Sequence, residues 1–166
     1  MPETVRDPRL FRDTMGRFAT GVTVLTFAVE GEVRGMTANS FTSLSLDPPL
    51  LLVCIGKDVS TYALWERAES FVVNILGDDQ KAVSDVFARH GAPTVPESGV
   101  AHHDGAAGAP VLDGTLAHAE CRITQRYDGG DHTIVIGAVE SFSIDRPADE
   151  PLLFFAGKYR KLAPAG

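Results

Sequence analysis

Apolar and polar positions along the chain mostly alternate with a period of two, in short stretches punctuated by Gly, Pro and Asp. Only a few stretches carry a helical period. Leu10, Phe11, Met15 and Phe18 fall near one face after Asp7-Pro8, which predicts an N-cap, a proline at the first helical position and a helix over residues 8–18. Residues 20–29 are β-branched and partly alternating. Glu30-Gly31 makes a tight turn, and residues 32–36 return as the partner strand. Asp47-Pro48-Pro49 reads as a turn feeding a buried apolar strand over residues 50–55. Residues 71–76 form another strand. Short helices are predicted over residues 62–70, capped by Asp58 or Ser60, and over 80–90, with Val83, Val86 and Phe87 inward. Residues 116–127 and 131–139 pair around Asp128-Gly129-Gly130, residues 142–144 add a short strand, and residues 152–155 form the last one. Residues 91–110 are rich in Gly, Pro and Ala and too long for a simple connection, so a lid or an excursion over a partner subunit is expected. At least seven short strands with two or three rim helices imply a mainly β fold, a closed or split β-barrel. A doubly wound α/β fold is disfavoured, because helices do not alternate regularly with strands.

The length of 166 residues suits one domain with a real core, with no interdomain linker. A net charge of -7, from 15 basic and 22 acidic residues, argues against a nucleic-acid groove, so an anionic ligand must be met by local donors and cations. Cys54 and Cys121 lie far apart without metal spacing and read as reduced packing residues. Residues 1–11 lack a leader-like apolar region, and no apolar run reaches the ~18 residues of a membrane span, so a cytoplasmic protein is expected.

Two stretches carry candidate chemistry. Thr37, Asn39, Ser40, Thr42, Ser43 and Ser45 crowd residues 37–45 with hydroxyls and an amide, a set suited to a phosphate or a heteroaromatic edge, or to a turn at a barrel corner. Lys57 precedes Asp58, Ser60 and Thr61, which reads either as an anion site at a helix start or as a surface lysine beside an ordinary cap. His132 opens a strand after a Gly-Gly turn, exposed enough to touch a ligand at a barrel mouth or simply solvated. Adjacent His102 and His103 in a strand would face opposite ways, which disfavours a metal. GxSxG, GxGxxG, GxxxxGK[ST] and HExxH are all absent, leaving hydrolase, Rossmann dehydrogenase, P-loop and zinc-protease readings unsupported.

In combination, several segments resemble the flavin reductase family, the small reductase partners of two-component flavin monooxygenases. They are Phe18-Ala19-Thr20-Gly21-Val22-Thr23-Val24, Gly35-Met36-Thr37-Ala38-Asn39-Ser40-Phe41-Thr42-Ser43-Leu44-Ser45-Leu46-Asp47-Pro48-Pro49-Leu50, Phe71-Val72-Val73-Asn74-Ile75-Leu76, Gly130-Asp131-His132 with Gly137, and Leu152-Leu153-Phe154-Phe155 with Gly157-Lys158-Tyr159. They run in order from about residue 10 to 162, with Phe87-Ala88-Arg89-His90 a looser match.

The resemblance implies an FMN-binding split β-barrel, usually a homodimer, in which NADH or NADPH reduces FMN or FAD for a partner monooxygenase. On that basis Thr37, Ala38, Asn39 and Ser40, with Cys54, Ile55, Gly56 and Lys57, would lie along the isoalloxazine. Ser43, beside Leu44, would join Lys57, Ser60 and Thr61 at the phosphate and ribityl tail, with Arg89 as a further cation. His132 would sit by the flavin or nicotinamide as the catalytic residue, aligning rather than donating a proton, and Tyr159 would close the pocket. Two rival readings use a similar barrel: a non-enzymatic flavin-binding module, and a pyridoxamine-phosphate-oxidase-like enzyme with tightly held FMN.

Overall fold

A computed structural model describes residues 7–163; the expectation for residues 1–6 lies outside them. Asp7 caps the first helix, α1 (Pro8–Met15), its carboxylate accepting from the Arg9 and Leu10 amides at 2.9 and 3.1 Å. The helix ends three residues earlier than the sequence predicts, because Arg17 and Phe18 bond back only three residues and tighten the chain out of the α-helix. Its predicted apolar face is not used within the chain, and Leu10, Phe11, Met15 and Phe18 are all exposed.

Strands then follow in antiparallel order. They are β1 (Thr20–Gly21), β2 (Thr23–Val29), β3 (Glu32–Ala38), β4 (Phe41–Leu46) and β5 (Pro49–Gly56). Glu30 and Gly31, at φ 52° and 83°, form the tight turn between β2 and β3. A helical turn α2 (Tyr62–Trp65), β6 (Ser70–Ile75), α3 (Lys81–Phe87), a 3₁₀ turn (Pro96–Ser98), β7 (His102–Asp104) and β8 (Pro110–Leu112) continue the chain. It closes with β9 (Ala117–Gly129), β10 (His132–Ile144), β11 (Leu153–Phe155) and β12 (Lys158–Arg160).

Seven strands make the main sheet, in the order β3-β2-β6-β9-β10-β5-β4. Its edge strands, β3 and β4, are consecutive in the chain and do not pair with each other. Two small sheets, β1-β11-β12 and β7-β8, flank it. Strand thus dominates, and the few helices are peripheral, as the periodicity implied.

One core draws Leu25 and Phe27 from β2, Val53 and Ile55 from β5, Phe71 and Val73 from β6, Cys121 from β9 and Val135 from β10. Trp65 of α2 plugs it, 4.3 Å from Phe27 and 5.7 Å from Phe71 between ring centres. Gly137 lets β10 approach this packing; a Cβ there would lie 2.9 Å from the Phe71 ring and from Cys121 Cβ. Burial pushes the Cys121 thiol up to about 12 and raises that of Cys54, so both free cysteines stay protonated.

The expected lid at residues 91–110 is not one: residues 91–112 form a packed segment. They pack on the opposite face of β2 and β6, where Val95 and Leu112 join Val22, Val24, Leu76 and Phe87. Asn74 and Thr26 bind this segment through the Leu112 amide and the Pro110 carbonyl. Covered on both faces, β2 and β6 are buried along nearly their whole length, with Thr23, Thr26 and Asn74 among the buried residues.

Four other expectations are corrected. Residues 37–45 are not a turn but the end of β3, a short link at Asn39-Ser40 and the edge strand β4, whose outward hydroxyls mimic turn composition. Residues 62–70 yield one helical turn, with Thr61 at its N-cap and no side-chain cap from Asp58 or Ser60. Residues 142–144 are the end of a continuous β10, bent by register shifts against β9 rather than broken. Strand β9 runs through Gly129, so the turn is Gly130-Asp131, with Gly130 at φ 78°. No helix among the described residues is long and apolar enough to cross a membrane.

Candidate functional site

A cleft of about 190 Å³ opens between β3, the turn at residues 58–61 and the C-terminal end of α3. Gly35 makes it possible: a Cβ there would meet the Phe87 ring at 2.8 Å, so only glycine lets α3 lie against β3. Thr37 donates to the Ser84 carbonyl at 2.7 Å and fixes the same contact further along. Across the cleft, Ser60 accepts from the Gly91 amide at 3.3 Å, and Thr61 lies beside it. Arg89 and His90 follow the helix end on the cleft wall, and Arg89 forms no ion pair among the described residues. Hydroxyls lining a cleft with a guanidinium that has no ion pair among the described residues fit a phosphate-bearing group.

The predicted ring-binding segments meet at the neighbouring strand ends. Ser40 donates to the Cys54 carbonyl at 2.8 Å and accepts the Cys54 amide at 3.1 Å, which ties the Asn39-Ser40 link to β5. Asn39 reaches Thr20 at 3.2 Å. Gly56 stands opposite His132 in the β5–β10 register, and its missing side chain leaves the imidazole Nε2 3.7 Å from where a Cβ would be. Nδ1 of His132 is hydrogen-bonded to Asp131 at 2.7 Å, and that bond holds the Asp131 carboxyl below the usual carboxylate range. His132 is thereby oriented and half exposed.

The side chains of other expected site residues go elsewhere. Ile55 turns its side chain into the core. Ser43 and Leu44 sit exposed on β4, at its bulge, away from the cleft lining. Tyr159 does not line the cleft; its hydroxyl bonds Ser84 at 2.7 Å. Lys57 does not join Ser60 and Thr61 either. Its ammonium binds the Asp128 carboxylate and the Gly130 carbonyl, the latter at 2.7 Å, and its amide binds the Asp131 carbonyl at 2.9 Å. It borders a separate recess of about 250 Å³, floored by Ile55, Trp65 and Val135. A four-residue helix also offers too little aligned backbone for the anion site first read there. Lys57 therefore anchors the turn that carries His132. Lys57→Met is expected to change KM for FMN and for riboflavin by the same factor, within about threefold, because an exposed pair contributes little. A loss confined to the phosphorylated flavin, in parallel titrations, would restore Lys57 to the phosphate.

Among the described residues, no group of three or more His, Cys, Asp or Glu is arranged to hold a metal ion. His102 and His103 are engaged by the Val100 carbonyl and by Asp113.

Residues 15–163 match the family model described as the flavin reductase like domain. This chain belongs to that family. An NADH-dependent FAD reductase of Streptomyces globisporus is 41% identical to this flavin reductase-like chain over 173 residues, covering 98% of it and 92% of the relative. The reductase component of 4-hydroxyphenylacetate 3-monooxygenase from Thermus thermophilus is 38% identical over 152 residues, 92% of this chain and 95% of the relative. Among solved structures, the flavin reductase PheA2 superposes with a TM-score of 0.85 at 43% identity, covering 95% of this chain and 99% of that one. The NADH:FAD oxidoreductase of Streptomyces globisporus, solved with NAD and FAD fragments, gives 0.88 at 42% identity, covering 96% and 94%.

Sequence reasoning missed Gly35, Ser84 and Phe87 as shapers of this cleft. The glycine between two larger residues was the one local signal. The partners that give it meaning lie some fifty residues away, in α3.

Proposed function

We propose that this chain is an NAD(P)H:flavin oxidoreductase that passes a hydride from NADH or NADPH to FMN or FAD and supplies reduced flavin to a partner monooxygenase. One observation carries the proposal. The cleft that unites Thr37, Ser60, Thr61 and Arg89 belongs to a chain about 40% identical, over nearly its whole length, to NADH-dependent flavin reductases and monooxygenase reductase components. A bound flavin supplies a ring system able to accept the hydride.

The protein's part is to bind and align. Ser60, Thr61 and Arg89 hold the phosphate end. Residues 37–40 and 54–56 present main-chain groups along the ring, where N–H donors favour the negative charge that a hydride brings. His132, fixed through Asp131, stands at the ring's edge and orients the nicotinamide without supplying a proton. The nicotinamide needs only to stack on the flavin, so no dinucleotide-binding unit is required.

We read the main sheet as a flavin-binding split β-barrel. Its edge strands are neighbours in sequence, and one core draws on β2 and β5 from opposite ends of the strand order. The exposed apolar residues of α1, with Leu46, Phe142 and Ile144, support a homodimer in which a second copy covers them.

Supply to a separate oxygenase is tested by anaerobic turnover with excess flavin and NADH, followed by filtration through a membrane that retains protein. The expected result is reduced flavin in the filtrate, in many-fold excess over enzyme. Flavin that stays with the protein at one equivalent would instead favour the flavin-storing module.

A further inference from the structure

Ser84 lies fully buried in the middle of α3. A serine inside a helix ordinarily turns its hydroxyl to water or back to the carbonyl four residues earlier. This one leaves the helix and meets the Tyr159 hydroxyl at 2.7 Å. Its carbonyl accepts two bonds, from the Ala88 amide at 3.0 Å and from the Thr37 hydroxyl at 2.7 Å. One residue therefore ties α3 both to β3 and to β12. Tyr159 is itself held, edge-on to Phe154 at 5.5 Å and with the Lys81 ammonium 5.0 Å from its ring centre. One turn further on, Phe87 seats against Gly35, and the chain leaves the helix into Ala88, Arg89 and His90 on the cleft wall.

We propose that the Ser84–Tyr159 hydroxyl pair is a strut that fixes the α3 wall of the cleft and so sets how tightly the phosphate end of the flavin is held. Neither residue touches the flavin. Both are positioning residues, acting through Arg89 just beyond the helix end, and the proposal rests on the reading of this cleft as the flavin-tail site. Losing one hydroxyl frees α3 to shift against β12. The displacement is felt most by the residues just beyond its C-terminal end. Main-chain groups beside the ring stay in place, those on β5 and β10 because they belong to other strands and those at residues 37–38 because the ladder to β2 holds them.

Riboflavin, which lacks the phosphate, is the discriminating probe. Ser84→Ala, Tyr159→Phe and the double variant are compared with the wild type at saturating NADH, with FMN and with riboflavin. Each single variant is expected to raise KM for FMN about threefold to tenfold, the range of one lost hydrogen bond, with kcat and the riboflavin KM within about twofold. The double variant is expected to match the singles, because either change removes the same bond. Tyr159→Phe keeps the ring and its packing, so it answers the question even if Ser84→Ala folds poorly. FMN and riboflavin affinities falling together, additive losses, or an unchanged FMN KM in both singles would overturn the strut. Wild-type protein with no preference for FMN over riboflavin would overturn the cleft's assignment, and the strut with it.

Discussion

Replacing Asn74 with alanine is expected to destabilise the protein by about 3 kcal/mol, the sum of several buried hydrogen-bonding groups left without partners. Asn74 is fully buried in β6. Its amide nitrogen donates to the Val24 carbonyl and to the Thr26 hydroxyl, each at 3.0 Å, and its oxygen accepts the Leu112 amide at 2.8 Å. It is the bracket that joins two strands of the main sheet to the segment at residues 91–112. Alanine removes all three bonds, and water has no ready route to the stranded Leu112 N–H. Denaturant unfolding should show the midpoint fall, and hydrogen exchange should show Leu112 losing protection first. A loss below about 1 kcal/mol would mean that residues 91–112 are held by apolar packing alone.

Arg89→Ala is expected to weaken FMN and FAD binding about thirtyfold, or about 2 kcal/mol, the scale of a charge-assisted hydrogen bond, and to leave riboflavin unaffected. The wall of the cleft offers a guanidinium without an ion-pair partner among the described residues, whereas the ammonium of Lys57 is committed to Asp128 and Gly130. Arg89→Lys should restore only part of the affinity, since an ammonium lacks the planar fork that meets two phosphate oxygens. Fluorescence titration with the three flavins checks both variants. Equal losses for riboflavin and FMN would place Arg89 in the architecture of the cleft rather than on the phosphate.

Local chemistry made much of the fold readable. Asp7-Pro8 marked a real N-cap, and Glu30-Gly31 a real hairpin turn, because both signals act within a few residues. Strand β4 was hidden for a physical reason: an exposed edge strand carries the same Ser and Thr that turns favour, and only its pairing with β5 identifies it. The segment at residues 91–112 looked like a lid because what holds it, Asn74 and Thr26, lies far away in sequence. The candidate cleft lies in scattered pieces of the sequence. Thr37, Ser60, Thr61 and Arg89 come from three separate segments; the resemblance set Thr37 along the ring and the other three at the tail, and the fold brings all four to one cleft. Lys57 shows the limit most clearly. Its position beside Ser60 pointed to an anion, while its actual partner, Asp128, stands seventy-one residues further along.

The central claim, that this chain reduces free flavin at the expense of a nicotinamide, is tested most directly by following NADH and NADPH oxidation. Each donor is supplied with and without FMN, FAD or riboflavin. Oxidation that depends on added flavin and continues through many turnovers is the predicted result, and the same set of assays ranks the flavins and the two donors. Folded protein that oxidises neither nicotinamide with any flavin would contradict it, and would favour the reading of a module that binds flavin without reducing it.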